Sequence, residues 1–224
     1  MPTTRITMST RSLISLSLTN VEFDSSDPIA YTFAYITLSP LAIVVAYATT
    51  IIARRELTSI NMFVGQLACE FLNALLKKLL KEKRPIDKLG DGYGMPSSHA
   101  QFIAYFTTFS ILYLYTRITF SQNLWKFPIT LSLIILLISV SYSRIYLNYH
   151  TTKQVLVGNI FGMSFALIWF ILTEYILRSF GVFKLIVESS LAKFFYLRDC
   201  SYIPNIIKVE YMNWDSLSSK QKKI

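Results

Sequence analysis

Both histidines of the 224-residue chain, His99 and His150, sit among cations and small polar residues at the edges of long apolar runs. His99 follows Pro96-Ser97-Ser98 within GYGMPSSHAQF (92–102), and His150 closes SYSRIYLNYH (141–150), seven residues after Ser143 and close behind Arg144. A third polar set, Gln66, Glu70, Asn73, Lys77, Lys81 and Arg84, recurs every three or four residues and so lies on one helical face. An imidazole can be a nucleophile or can give and take a proton near neutral pH. Two of them beside fixed cations and the free N–H groups of a helix start suit phosphoryl transfer without a metal. One ring would attack phosphorus and the other would handle the leaving-group proton, while cations and amides hold the charge on the phosphoryl oxygens.

Taken singly, each feature has a plainer account. Lys77, Lys78, Lys81, Lys83, Arg84 and Arg144 suit side chains that reach an anionic membrane interface. Ser98-His99-Ala100-Gln101 fits a capping box at a helix start, with Gly92 and Gly94 letting the preceding loop turn. The cap leaves His99 unexplained, and the elements that carry these groups must decide whether they meet.

The composition is 53% hydrophobic and only 16% charged, against about 25% charged in a typical soluble domain. The apolar residues fall in blocks near the ~20 residues that cross a hydrocarbon core, and backbone in lipid must close its own hydrogen bonds. The chain is therefore expected to be all-α, a polytopic integral-membrane helical bundle of about five transmembrane helices, or six. The spans are 29–53, 57–80, 98–120, 127–149 and 154–177, with an amphipathic interfacial segment over 182–197. This divides the chain into a tail (1–28), a membrane-embedded domain (29–177), and an amphipathic and basic C-terminal region (178–224). Residues 1–20 weakly resemble a transit peptide in composition, and a disordered tail fits them better.

With five spans, the end of the second, the start of the third and the end of the fourth reach one membrane face. Both histidines, Lys77, Arg84, Arg144 and the serine-capped amides then converge. The net charge of +9 lies in loops and tail, which argues for a membrane protein with an anionic substrate over a nucleic-acid binder. Cys69 and Cys200 fall in a span and in the polar C-terminal region, where they are read as packing residues.

Lys77 with Arg84-Pro85, then Pro96-Ser97-Ser98-His99, then Ser143-Arg144 with His150 resemble the three-part motif of the type 2 phosphatidic acid phosphatase superfamily, over roughly residues 57–165. Within it, Gly65-Gln66-Leu67, Glu70, Asn73, the run from Gly92 to Pro96 and Gln154-Val155 with Gly158 look like the dolichyl-diphosphatase family. The resemblance implies His150 as the nucleophile that forms a phosphohistidine, and His99 as the acid and later the base for water. It implies Lys77, Arg84, Ser97, Ser98 and Arg144 as phosphate-binding residues, with Gln154, Ser143, Glu70 and Asn73 orienting them. Two positions depart from the superfamily, Ser98 where glycine is usual and Gln154 where an aspartate is usual. An amide can accept from an imidazole N–H, yet it cannot stabilise imidazolium as a carboxylate does.

No metal or other cofactor is expected, although Asp87 and Asp91 could be read as a magnesium pair. The implied substrate is a polyprenyl (dolichyl) diphosphate, with the lipid bilayer as the other partner, no nucleic acid, and the oligomeric state open. Alternatives are phosphatidate, sphingoid-base phosphate or a sugar phosphate, or a non-catalytic anion-binding or transport role. The expected location is the endoplasmic reticulum membrane with a lumenal site, and Lys220 and Lys222 resemble a dilysine retrieval signal.

Overall fold

The protein is described by a computed structural model that covers residues 13–16, 21–24, 26–86, 89, 92–120, 122–203 and 205–221. Helices dominate: α1 (Pro28–Ile36), α2 (Ser39–Arg54), α3 (Leu57–Leu80), α4 (Ser98–Thr116), α5 (Lys126–Tyr146) and α6 (Thr152–Phe170), the last continued by π-helical turns to Leu177. Among the described residues, four stretches are long and apolar enough to cross a membrane: Pro28–Arg54, Leu57–Leu80, Asn123–Tyr146 and Thr152–Leu177. The expected fifth, α4, is the helix around which the others pack. Ala100, Gln101, Ile103, Ala104, Tyr105, Thr107 and Phe109 are all buried on it, so it offers lipid little surface and tolerates polar residues.

The first span is one membrane stretch made of two helices. Pro40 has no N–H to give the carbonyl of Ile36, and Ser39 Oγ supplies that bond instead at 2.6 Å. Helices α4 and α6 approach closely because Gly158 and Gly162 face backbone of α4. A Cβ on Gly158 would meet the carbonyl oxygen of Ser97 at 2.8 Å, and one on Gly162 would collide with that of Gln101. Contacts between helix ends show the alternating order. Glu82 meets Gln154 at the face that holds His99 and His150, whereas Thr58 meets Tyr113 and Arg117 meets Glu174 at the opposite end.

Three local expectations change. Helix α3 covers 57–80 as expected, but the polar helical face expected to run on through Lys81 to Arg84 stops with it, because Lys81 takes a left-handed φ of 50° and donates to Lys77 O. Lys81 is thus exposed and leaves the polar stripe. Within the N-terminal tail, β1 (Leu13–Leu16) and β2 (Val21–Asp24) pair antiparallel, and Val21 and Phe23 pack with Leu89, Leu147 and Tyr149. The C-terminal region is more helical than its polarity suggests: the 182–197 segment splits into α7 (Val182–Glu188) and α8 (Ser190–Phe194), and α9 spans Ile206–Gln221. Asp87, Asp91, Lys222 and the side chain of Lys220 lie outside the described residues.

Candidate active site

The first wall of the site belongs to α3 and the start of α4. Lys77 Nζ donates to Ser98 Oγ at 2.6 Å, and Ser98 Oγ donates to Asn73 Oδ1 at 3.0 Å. Asn73 Nδ2 continues to Gln101 Oε1 at 2.7 Å, and Gln101 Nε2 reaches the Cys69 carbonyl at 2.9 Å. This chain of bonds corrects the expected capping box. Ser97, and not Ser98, is the N-cap of α4, its side chain caps nothing, and Ser98 and Gln101 spend their side chains on α3. The first-turn amides of α4 therefore keep their N–H groups, the ordinary anion-binding feature of a helix start. Ser97 Oγ is buried with no partner among the described residues. The capping box occurs two helices later, where Thr151 and Gln154 cap α6 reciprocally.

The second wall is the turn after α5. Asn148 adopts φ 59°, and both Tyr149 N and His150 N return to the Arg144 carbonyl at 3.1 Å, which turns His150 back over the end of the helix. Arg144 is 4% exposed, its guanidinium lies 4.1 Å from the centre of the Tyr149 ring, and its Nε and Nη1 have no partner among the described residues. A buried guanidinium lacking a carboxylate is costly unless an anion joins it. Tyr149 is fixed in turn by the N-terminal hairpin, since Glu22 N donates to its hydroxyl at 2.8 Å.

His150 is buried, and Nδ1 lies 3.3 Å from Gln154 Oε1. Burial lowers its pKa to about 3, helped by the charges of Arg144, Arg84 and Lys77 and opposed by the Gln154 bond. The ring is consequently neutral near pH 7, the state a nucleophilic imidazole needs. The charges of Arg144, Lys77 and Arg84 also bear on His99, so the cations and both rings share one region.

A family model described as the PAP2 superfamily matches residues 29–178. The chain belongs to the PAP2 superfamily. Among curated relatives, "Dolichyldiphosphatase 1" of Homo sapiens is 39% identical over 206 residues, covering 88% of this chain and 86% of the relative. The Dictyostelium discoideum protein of that name is 38% identical over 205 residues, with 90% and 89% covered. "Dolichyldiphosphatase" of Saccharomyces cerevisiae is 30% identical over 220 residues, with 92% of each chain covered. A crystal structure of a transmembrane PAP2 type phosphatidylglycerolphosphate phosphatase from Bacillus subtilis has the same fold, at TM-score 0.58 and 21% identity, over 67% of this chain and 79% of that one.

Lys77, Ser97, Ser98, His99, Arg144, His150, Gln154 and Asn73 lie together at one end of the bundle. Arg84 borders it from the loop, donating to the carbonyls of Leu89 and Gly92 at 3.3 and 3.4 Å. Glu70 lies on the inward stripe, where its charge acts on Lys77. Ser143 is buried, but its hydroxyl donates to Val140 O at 2.7 Å, within its own helix, so it makes no bond to His150. Two contributors have no role legible from residue type and spacing alone. Tyr149 is the ring beneath Arg144, and its place between Arg144 and His150 was the available signal. Glu82 binds Gln154 and was obscured by the lysines around it.

Proposed function

We propose that the protein hydrolyses dolichyl diphosphate to dolichyl phosphate and inorganic phosphate, recycling a lipid carrier used in protein N-glycosylation. The observation that carries the reading is Arg144, a buried guanidinium with two nitrogens unpartnered among the described residues, beside the neutral His150. The relatives named dolichyldiphosphatase support the choice of lipid. In the first step His150 attacks the terminal phosphorus, the bond from that phosphorus to the bridging oxygen breaks, and dolichyl phosphate leaves with the electron pair. His99 gives the departing oxygen a proton where one is needed. Water then attacks the phosphohistidine with His99 taking its proton, the P–N bond breaks, and phosphate is released. Lys77, Arg84, Arg144, Ser97, Ser98 and the α4 amides hold the phosphoryl oxygens through both steps. Asn73 and Glu70 position Lys77.

The test is purified His150→Ala protein on a polyprenyl diphosphate, together with acid-quench trapping of labelled phosphate on the wild type. Activity is expected to fall by at least about 10³-fold, with label on a histidine that the variant lacks. Full hydrolysis by the variant overturns the chemistry, and a marked preference for phosphatidate or sphingoid-base phosphate in a substrate panel overturns the lipid. The endoplasmic reticulum and a lumenal site belong to the same reading. A glycosylation tag in the 86–92 loop should be modified, and an unmodified tag in a folded protein places the loop in the cytosol.

A further inference from the structure

Gln154 stands where the superfamily usually has a carboxylate, and its surroundings restore one. The amide is fully buried, and its two ends face opposite chemistry. Nε2 donates to the Glu82 carboxylate at Oε1, 3.1 Å away, and to the Lys83 carbonyl at 2.8 Å, and a carboxylate and a carbonyl only accept. Oε1 faces the Thr151 N–H at 3.3 Å, which only donates. The amide thus has one sensible orientation, so the group it offers His150 is an acceptor. The proton of the neutral ring must then sit on Nδ1, leaving the lone pair on Nε2 to attack phosphorus. Space for this arrangement comes from Gly94, where a Cβ would lie 2.8 Å from both terminal atoms of Gln154.

We propose that Glu82 is a positioning residue of the reaction, its carboxylate acting on His150 through the Gln154 amide. The proposal rests on His150 being the nucleophile. As the ring gains positive charge on phosphorylation, its Nδ1–H bond pulls electron density from Gln154 Oε1, and the amide becomes a stronger donor at Nε2. A carboxylate on that donor stabilises the polarised amide where a neutral acceptor would not. Glu82 is itself held from outside by Lys153, at 3.3 Å.

The experiment measures single-turnover phosphorylation of His150 and steady-state hydrolysis in Glu82→Gln, Glu82→Asp, Gln154→Ala and the double variant Glu82→Gln/Gln154→Ala. Glu82→Gln keeps an acceptor for the amide and loses only the charge. It is expected to slow phosphorylation and kcat about ten- to a hundredfold, the usual range for a partner one bond removed, with KM within about threefold. Glu82→Asp should retain more activity than Glu82→Gln, because the charge stays. In the Gln154→Ala background the Glu82→Gln change should cost almost nothing further, since the connection is already cut. Wild-type rates in Glu82→Gln, an equal loss in both backgrounds, or the reverse ranking of Asp and Gln would overturn the proposal. If Glu82→Gln does not fold, Glu82→Asp decides: near wild-type phosphorylation supports a role for charge, and a loss of a hundredfold or more in folded protein overturns it. Any of these failures alongside a dead His150→Ala enzyme would sink the relay and leave the nucleophile standing.

Discussion

Arg144 is the residue on which the anion pocket depends most directly. Its guanidinium is buried, stacks on Tyr149 and directs two nitrogens to no protein acceptor among the described residues. A planar fork can bind two oxygens of a phosphoryl group at once and can strengthen both bonds as charge develops. Lysine would keep the charge but offer a single point, and it would lose the stacking on Tyr149. Arg144→Lys should therefore reduce kcat/KM for the diphosphate by about 10²- to 10³-fold. Steady-state kinetics in mixed micelles measure this, with thermal unfolding to confirm that the variant is folded. A folded variant within tenfold of wild type would mean that the fork is not used on the substrate.

The walls of the site are set by how closely α4 and α6 pack. Ser97 and His99 come from the start of α4, while Gln154, which holds His150, comes from the start of α6, and Ser97 N donates to the Gln154 carbonyl at 3.2 Å. Gly162 lies about two turns further along α6, against the backbone of Gln101. Gly162→Val must push the helices apart, at a cost of about 1–3 kcal/mol, and the same displacement separates His99 from His150. The expected outcome is a lower Tm together with a loss of kcat larger than the change in the folded fraction. A lower Tm with full activity in the folded protein would show that the two walls tolerate the shift. Much of this site could be read in the sequence because its groups are rare in an apolar chain and spaced by helical or motif intervals. His99, His150, Arg144 and Lys77 could be singled out for that reason. Glu82 could not, because an acid within KKLLKEKR looks like a solvated partner of its neighbours, and only the left-handed turn at Lys81 redirects it toward Gln154. Ser97 and Ser98 exchanged roles because local capping competes with the pull of Lys77 and Asn73, which are distant in sequence. The hairpin in the N-terminal tail had no strong alternation to announce it. Its folding follows from burying Val21 and Phe23 against the 146–150 turn.

At the scale of the whole molecule, the two ends of the bundle hold charge for different purposes. At the active-site end cations outnumber carboxylates, which suits an anionic substrate. At the opposite end a buried cluster of charges is paired within the protein. The Glu174 side chain is fully buried and receives Arg178 Nε at 3.1 Å and Arg117 Nε at 3.2 Å, while Arg178 also meets Asp199 and Ser201. Arg117 follows directly on α4, whose other end carries His99, and a 19-residue helix separates the two by about 28 Å. Removing one member of a buried ion-pair network strands the others, at a cost of about 3–5 kcal/mol. Glu174→Gln keeps the shape but turns an acceptor into a donor facing two guanidinium groups. It should lower Tm by about 10 °C, taking 2–4 °C per kcal/mol for a chain of this size. Because the network does not touch the phosphate pocket, the folded fraction should keep KM within about twofold and kcat nearly unchanged. Unfolding scans and kinetics on one preparation measure both quantities. A large loss of kcat at an unchanged Tm would mean that the ends are coupled through α4, and the view of this network as a stabilising clamp would have to be given up.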